Sequence, residues 1–258
     1  MKNSGHPPLI SCIVPVFNGA RYIKQALESI WEQTYQPLEI IVVDDGSTDD
    51  TKHIVQAIDR PVRYVSQNRM GPAAARNRGI AMSQGEFLAF LDSDDLWHSG
   101  KLSKQFAKFS SNPEIDACVT FVNHFVEIDS RRKEIRYQGK QRLYDVPGYI
   151  TQTLLAKRTT FEKVGNFDQT LNYGDANEWF LRVADSGLRV ELLPEVLVYR
   201  RLHGENHSRQ GVSAGLDEHL RIIKASLDRR RDLHGGIPQP YPFPTSHIMK
   251  AVHQGENP

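Results

Sequence analysis

The 258-residue chain reads as an α/β protein with a mostly parallel central sheet, helices on both faces and a smaller β/α portion behind it. Three observations predict this. Short, nearly all-apolar runs alternate with helix-period stripes through the first hundred residues, as strands covered on both faces require. Acids cluster just beyond two of those runs, where open parallel sheets bind ligands. After about Trp97 the alternation lapses into shorter, mixed segments.

Leu9–Val16 is a strand-like apolar run, and Tyr22–Gln33 sets Ile23, Ala26, Leu27, Ile30 and Trp31 on one helical stripe. Leu38–Val43 is the next strand. Ser47 is the expected N-cap of a helix carrying Thr51, Ile54, Val55 and Ile58. Val62–Val65, Ala73–Met82 and Phe87–Leu91 follow as strand, helix and strand, an order that implies parallel pairing through right-handed crossovers. Farther on, Ala117–Ile128 and Ile135–Tyr137 read as sheet segments joined by a polar turn, Asp129–Lys133. Asp175–Gly187 is helical, and Val190–Leu193 and Val196–Tyr199 are short strands broken by Pro194. Leu216–Leu227 is an amphipathic helix running into Arg229–Arg231. From Gly235 the chain is rich in Pro and Gly, with the composition of a poorly ordered tail.

A formal charge of +1 argues against nucleic acid as a partner. No apolar run reaches the roughly 18 residues a membrane span needs, and no apolar h-region follows the N-terminus, so a soluble, cytoplasmic protein is expected. Cys12 and Cys118 stand in strand-like runs without zinc-ligand spacing and are expected as buried free thiols.

The segment Phe87–Asp95 is the most informative. A buried strand delivers Asp92, Asp94 and Asp95 within four residues, and mutual repulsion makes such crowding costly unless a cation shares the site. Carboxylates suit Mg²⁺ or Mn²⁺, which take their remaining ligands from water and a diphosphate. Alone, such a triplet serves equally as a polar turn.

Its neighbours decide between these uses. Ser11-Cys12-Ile13-Val14-Pro15-Val16-Phe17-Asn18, then Ile41-Val42-Val43-Asp44-Asp45-Gly46-Ser47-Thr48-Asp49, then Gly71–Ile80, then Gly85-Glu86-Phe87 leading into the acids, come in that order over residues 9–97. Together they resemble the opening of the family 2 glycosyltransferases, with weaker similarity to about Ser208. The resemblance implies a GT-A fold and transfer of a sugar from a nucleotide-diphospho-sugar, UDP-sugar favoured, to an acceptor hydroxyl. It further implies inversion by direct displacement and a Mn²⁺ or Mg²⁺ cofactor. The acceptor is open among glycan, lipid-linked, peptide and small-molecule classes. By position, Pro15, Val16, Phe17 and Asn18 border the nucleoside, Asp45 with Asp44 serves the nucleobase, and Arg76 lies near the diphosphate. Asp92-Ser93-Asp94-Asp95 matches the DxD element, with Asp94 and Asp95 sharing ribose and metal contacts. His203 is a candidate metal ligand, and Arg200 or Arg201 a phosphate contact. Asn18, Asp44 and Asp45 also suit plain turns and caps, and Arg76 a helix surface. On this reading residues 1–97 form the nucleotide-sugar half, 98–210 the acceptor and catalytic half, 211–234 a C-terminal helix and 235–258 the tail.

The match departs where relatives carry an acidic pair ahead of a helix. Here the segment is Gly174-Asp175-Ala176-Asn177-Glu178-Trp179-Phe180, and the second acid, commonly the base, falls on Ala176. Asp175 takes over one position early, or Glu178 does so on the neighbouring helix face. Otherwise the fold binds nucleotide-sugar with lost or altered catalysis. Relatives of this kind act at the inner face of the cytoplasmic membrane, which leaves two uses open for the basic helix: contact with anionic lipid, and homodimer formation.

Overall fold

Residues 10–16 are apolar at nearly every position, and in the computed structural model, which describes residues 6–126, 146–204 and 212–234, they form a central strand, β1 (Ile10–Val16), buried throughout. β2 (Leu38–Asp44) and β4 (Phe87–Phe90) pair with it in parallel on either side, and β3 (Arg63–Ser66) adds in parallel to β2. α1 (Ile23–Trp31), α2 (Thr51–Gln56) and α3 (Pro72–Met82) make the crossovers. Alternation along β1 sorts the layers. Ile10, Cys12, Val14 and Val16 pack with Ile23, Leu27 and Ile30 of α1 and Val55 of α2. Ile13 faces the opposite layer, with Ala73 and Ile80 of α3. Burying each large aliphatic of that α1 stripe stabilises the fold by about 1.5–3 kcal/mol. Both cysteines are free and buried, as expected.

Ser47 does not cap α2. That helix starts at Thr51 after Asp50, and the Ser47 hydroxyl instead accepts from the Asn18 amide at 2.8 Å.

β5 (Leu96–Trp97) and α4 (Lys101–Ser111) follow, unheralded by periodicity because the buried face of α4 is partly polar. Lys101 Nζ donates to Gln105 Oε1 at 2.8 Å, and Gln105 Nε2 donates to the carbonyls of Cys118 and Thr153. β6 (Ala117–Val126), β7 (Val146–Pro147), a 3-10 turn at Thr151–Thr153, β8 (Leu155–Lys157) and α5 (Arg158–Val164) complete the middle of the chain. The expected turn 129–133, strand 135–137 and tail 235–258 lie outside the described residues.

α6 (Asp175–Asp185) precedes β9 (Val190–Leu202), and the two strands expected there are one. β9 runs parallel to β6, and Pro194, which has no N–H to give, sits with Glu195 in a register shift between the Thr120–Leu193 and Phe121–Val196 pairs. Among the described residues the sheet has nine strands and runs β3-β2-β1-β4-β8-β6-β9-β5, with β7 on β6. Its parallel pairs are long, and the antiparallel ones, β4–β8, β6–β8, β6–β7 and β5–β9, are two or three residues each. Trp179 of α6, fully buried, stacks on Phe161 of α5 at 4.5 Å and anchors the second layer. α7 (Val212–His234) lies along α6.

Candidate active site

A cleft of about 880 Å³ opens where β1, β2 and β4 end. One stretch of its wall is Pro15, Val16, Phe17 and Asn18. Asn18 adopts a left-handed φ of 50°, which asparagine tolerates, and its loop is laced to the loop after β2. The Thr48 amide donates to Asn18 Oδ1 at 2.8 Å, Gly19 N to Thr51 Oγ1 at 2.9 Å and Ala20 N to Asp49 Oδ2 at 3.0 Å. Phe17 keeps 36 % exposure beneath the Arg69 guanidinium, 3.8 Å from the ring centre.

Asp44 and Asp45 part company. Asp44 does not line the cleft; its carboxylate accepts from Ser47 N at 2.7 Å and from the Tyr64 hydroxyl at 2.6 Å. Asp45 does line it, and accepts from Gln67 Nε2 at 2.7 Å and from the amides of Met70 and Gly71, each at 2.8 Å. Asp45 thereby fixes the turn that starts α3. Gly71 there has φ 92°, a conformation that favours glycine, and Pro72 opens the helix.

α3 carries Arg76 into the cleft, where it joins two acids from distant parts of the chain. Nη2 donates to Asp92 Oδ1 at 2.9 Å and Nη1 to Asp175 Oδ2 at 2.7 Å, while the buried Nε has no partner. Burial works against this charge, but Asp92 and then Asp175 outweigh it and hold Arg76 above its ordinary pKa.

The acid triplet fans out from the end of β4. Asp92 also accepts from Gln152 Nε2. Asp95 is 1 % exposed, and both its oxygens already accept, from Arg201 N at 2.8 Å and Gln152 Nε2 at 3.1 Å. Burial first, then Asp94 and Asp92, push the Asp95 carboxyl well above the usual carboxylate range. Asp94 lines the cleft with Oδ2 2.9 Å from His203 Nε2, and Tyr22 lies against the His203 ring at 5.1 Å. Burial and Asp92 raise the Asp94 pKa, while His203 opposes them. Ser93 also borders the cleft.

Three sequence expectations change here. Among the described residues no group of three or more side chains is arranged to hold a metal, so Asp94, Asp95 and His203 reduce to the pair Asp94–His203, because Asp95 is committed inward. Arg201 is not a cleft residue. It is wedged between the Tyr22 and Phe125 rings, donates Nε to the Asp94 carbonyl at 2.9 Å and Nη2 to Gln25 Oε1 at 2.7 Å, and so braces the acidic loop from behind; Arg200 lines the cleft. Glu178 is likewise absent from the cleft, its carboxylate taking Arg182 Nε at 2.7 Å, with Arg229 at 3.6 Å. Asp175 stands in it at the start of α6. The basic run of α7 is also partly spent internally, since Arg229 and Arg230 both donate to Asp185.

Gln152 is the residue the sequence did not announce. It bridges Asp92 and Asp95, and its carbonyl accepts from Trp97 Nε1 at 2.9 Å, but it sits in a one-turn helix without periodic signal.

A family model described as glycosyl transferase family 2 matches residues 11–184. A Rickettsia typhi protein named as an uncharacterized glycosyltransferase is 32% identical over 216 residues, 79% of this chain and 67% of the relative. The chondroitin synthase of Escherichia coli is 28% identical over 235 residues, 86% of this chain but only 33% of the synthase. Among solved structures, S. aureus TarS 1–349 in complex with UDP-GlcNAc superposes with a TM-score of 0.70 at 19% identity, covering 92% of this chain and 68% of that one. The mannosyltransferase PcManGT from Pyrobaculum calidifontis, in complex with GDP-Man and Mn²⁺, gives 0.65 at 21%, covering 97% and 71%. These likenesses show the fold, the GT-A arrangement. No helix among the described residues is long and apolar enough to cross a membrane.

Proposed function

The chain belongs to glycosyl transferase family 2, and from that premise we propose that it transfers a sugar from a nucleotide-diphospho-sugar, a UDP-sugar in first place, to an acceptor hydroxyl with inversion at the anomeric carbon. The observation that carries this reading is Arg76, which ties the acid at the end of β4 to the acid at the start of α6 inside one cleft. Groups able to hold a leaving diphosphate and to accept the acceptor's proton thus face a single reaction volume.

In this reading the nucleoside lies along Pro15–Asn18. Asp45 acts beside it through the 67–71 loop that it holds. The diphosphate meets Arg76, Arg200 and the start of α3 at Ala73, where the helix dipole favours an anion. Asp94 and His203 suit a Mn²⁺ or Mg²⁺ ion in chemistry: a carboxylate and an imidazole 2.9 Å apart beside the cleft, leaving most of the coordination shell to water and phosphate. Such an ion, when bound, neutralises charge on the departing nucleoside diphosphate. The TarS structure is a complex with UDP-GlcNAc and the PcManGT structure a complex with GDP-Man and Mn²⁺, which supports the donor class and the ion.

Asp175 is the base. One oxygen is steadied by Arg76, and the carboxylate takes the proton of the acceptor hydroxyl as that oxygen attacks the anomeric carbon. The bond from the anomeric carbon to the diphosphate oxygen breaks as the new glycosidic bond forms, and holding the two in line is the work of the cleft walls.

The test is calorimetry and thermal shift with UDP, GDP and dTDP, with and without Mn²⁺, followed by transfer or donor hydrolysis. Stabilisation by one nucleotide only when the ion is present is expected. No response to any of them overturns the reading, and binding without turnover across an acceptor panel makes the chain a nucleotide-sugar-binding protein, as Ala176 first suggested.

A further inference from the structure

We propose that α7, which lies wholly beyond the family-matched residues 11–184, is a working part of the site, and that Glu218 is the positioning residue through which it acts. The proposal rests on the assignment of Asp175 as base in the cleft. Glu218 is buried, and its carboxylate reaches across to the strip immediately before α6. Oε1 accepts from the Asn172 amide at 2.8 Å, and Oε2 accepts from the Tyr173 amide at 2.8 Å and the Gly174 amide at 3.1 Å. These three consecutive residues lead directly into Asp175, and Asn172 and Tyr173 themselves line the cleft.

A second contact fixes the same strip. Ile222, one turn along α7 and buried, fills the space where Gly174 lacks a side chain; a Cβ there would meet Ile222 Cδ1 at 2.3 Å. The far end of the helix is riveted separately. Ser226 Oγ donates to Asp185 Oδ1 at 3.0 Å, and Arg229 and Arg230 donate to the same carboxylate. α7 therefore holds α6 at its far end and the strip before α6 at its near end, and only the Glu218 end contacts residues that line the cleft.

A buried carboxylate would be costly without partners, and three backbone donors supply them. In return it dictates the direction of three successive amides, and so the entry angle of the chain into Asp175. Misplacing a proton acceptor by about an ångström is enough to lower turnover by roughly a hundredfold. Glu218 touches neither donor nor ion in this arrangement, so its loss falls on turnover and on use of the acceptor, with nucleotide binding spared.

The experiment compares Glu218→Gln and Glu218→Ala with Ser226→Ala, which loosens the other end of α7. Three readouts are taken: amide exchange of the peptide covering residues 172–174, UDP and GDP affinity with Mn²⁺, and steady-state hydrolysis of UDP-N-acetylglucosamine and GDP-mannose with water as acceptor. Both Glu218 variants are expected to expose those amides and to lose roughly ten- to a hundredfold in kcat, with nucleotide affinity unchanged; glutamine keeps one accepting oxygen and should retain the more activity of the two. Ser226→Ala should lower the melting temperature while leaving kcat and the exchange of 172–174 as in the parent. Unchanged kcat in the Glu218 variants of an active parent overturns the proposal alone, as does an equal kcat loss in Ser226→Ala. A parent that binds no nucleotide, or binds one and hydrolyses neither donor, overturns the reading of the cleft from which the proposal starts, whatever the amides do.

Discussion

The chain presents adjacent aspartates at the carboxyl ends of two parallel strands, β2 and β4, yet uses them differently. After β2, Asp44 and Asp45 are consumed by the protein: between them they accept from a serine amide, a tyrosine hydroxyl, a glutamine side chain and two amides of the α3 turn. After β4, Asp95 turns inward to Gln152 and the Arg201 amide, Asp92 goes to Arg76, and Asp94 is left beside the cleft with His203. The first pair of acids shapes a wall of the cleft, while the second region keeps one acid beside the cleft and braces the others from within. The difference lies in what packs behind each strand end: β3 and the α3 turn behind one, β9 and the Thr151–Thr153 turn behind the other.

Experiments that break or sharpen this contrast run from large effects to small. Asp175→Asn should lower turnover by about 10²–10⁴-fold while donor affinity holds. Glu178→Gln should leave turnover near that of the parent and cost stability through Arg182 and Arg229; equal losses of activity in both would merge what the structure separates.

Asp94→Asn comes next. Loss of an outer-shell partner commonly weakens metal binding ten- to a hundredfold, so loss of a ligand should cost about a hundredfold in Mn²⁺-dependent nucleotide affinity, read by calorimetry. Retained manganese dependence would place the ion elsewhere. Asp45→Ala should behave otherwise, destabilising the fold by about 3 kcal/mol in urea as three donors lose their acceptor, and weakening nucleotide binding whether or not manganese is present. Identical profiles for Asp94 and Asp45 would erase the contrast.

The last test leaves the cleft for the layer beneath. Lys101, the first residue of α4, is fully buried near Cys12 and Cys118, and burial lowers its pKa to about 7. The unfolded chain then holds one more proton than the folded one between about pH 7 and the ordinary lysine value of about 10.4, so Lys101 adds stability as pH rises through that window, by at most about 1.4 kcal/mol per pH unit. The two thiols act oppositely. Burial raises Cys12 to about 12 and Cys118 to about 11, so the unfolded chain loses their protons first and stability falls above the ordinary thiol value of about 8.5. Subtracting the stability curve of Lys101→Met from that of the parent isolates the lysine. A flat difference from pH 7 to 10 would show that Lys101 titrates normally.

Most of the first hundred residues was legible. Strands covered on both faces leave continuous apolar runs, and α1 carries a full stripe, so β1, α1, β2 and β4 follow from side-chain type alone. The second half was less so, for identifiable reasons. α4 buries Lys101 and Gln105, which hide its stripe; β7 and β8 are two or three residues long; and Pro194 reads as a break although a register shift absorbs it. Glu218 and Gln152, each gathering donors or acceptors from segments more than forty residues away, have no local signature at all.

By itself, then, the sequence determined the family, the parallel sheet and the strand ends at which acids gather, because those depend on hydrophobic period and on short ordered motifs. Only the tertiary structure decided which acid faces the cleft, that Arg76 links Asp92 to Asp175, and that Glu178 and Arg201 serve the scaffold. The reason is physical: adjacent carboxylates are alike as residues, and their roles diverge only when long-range hydrogen bonds turn some of them inward and leave others at the cleft.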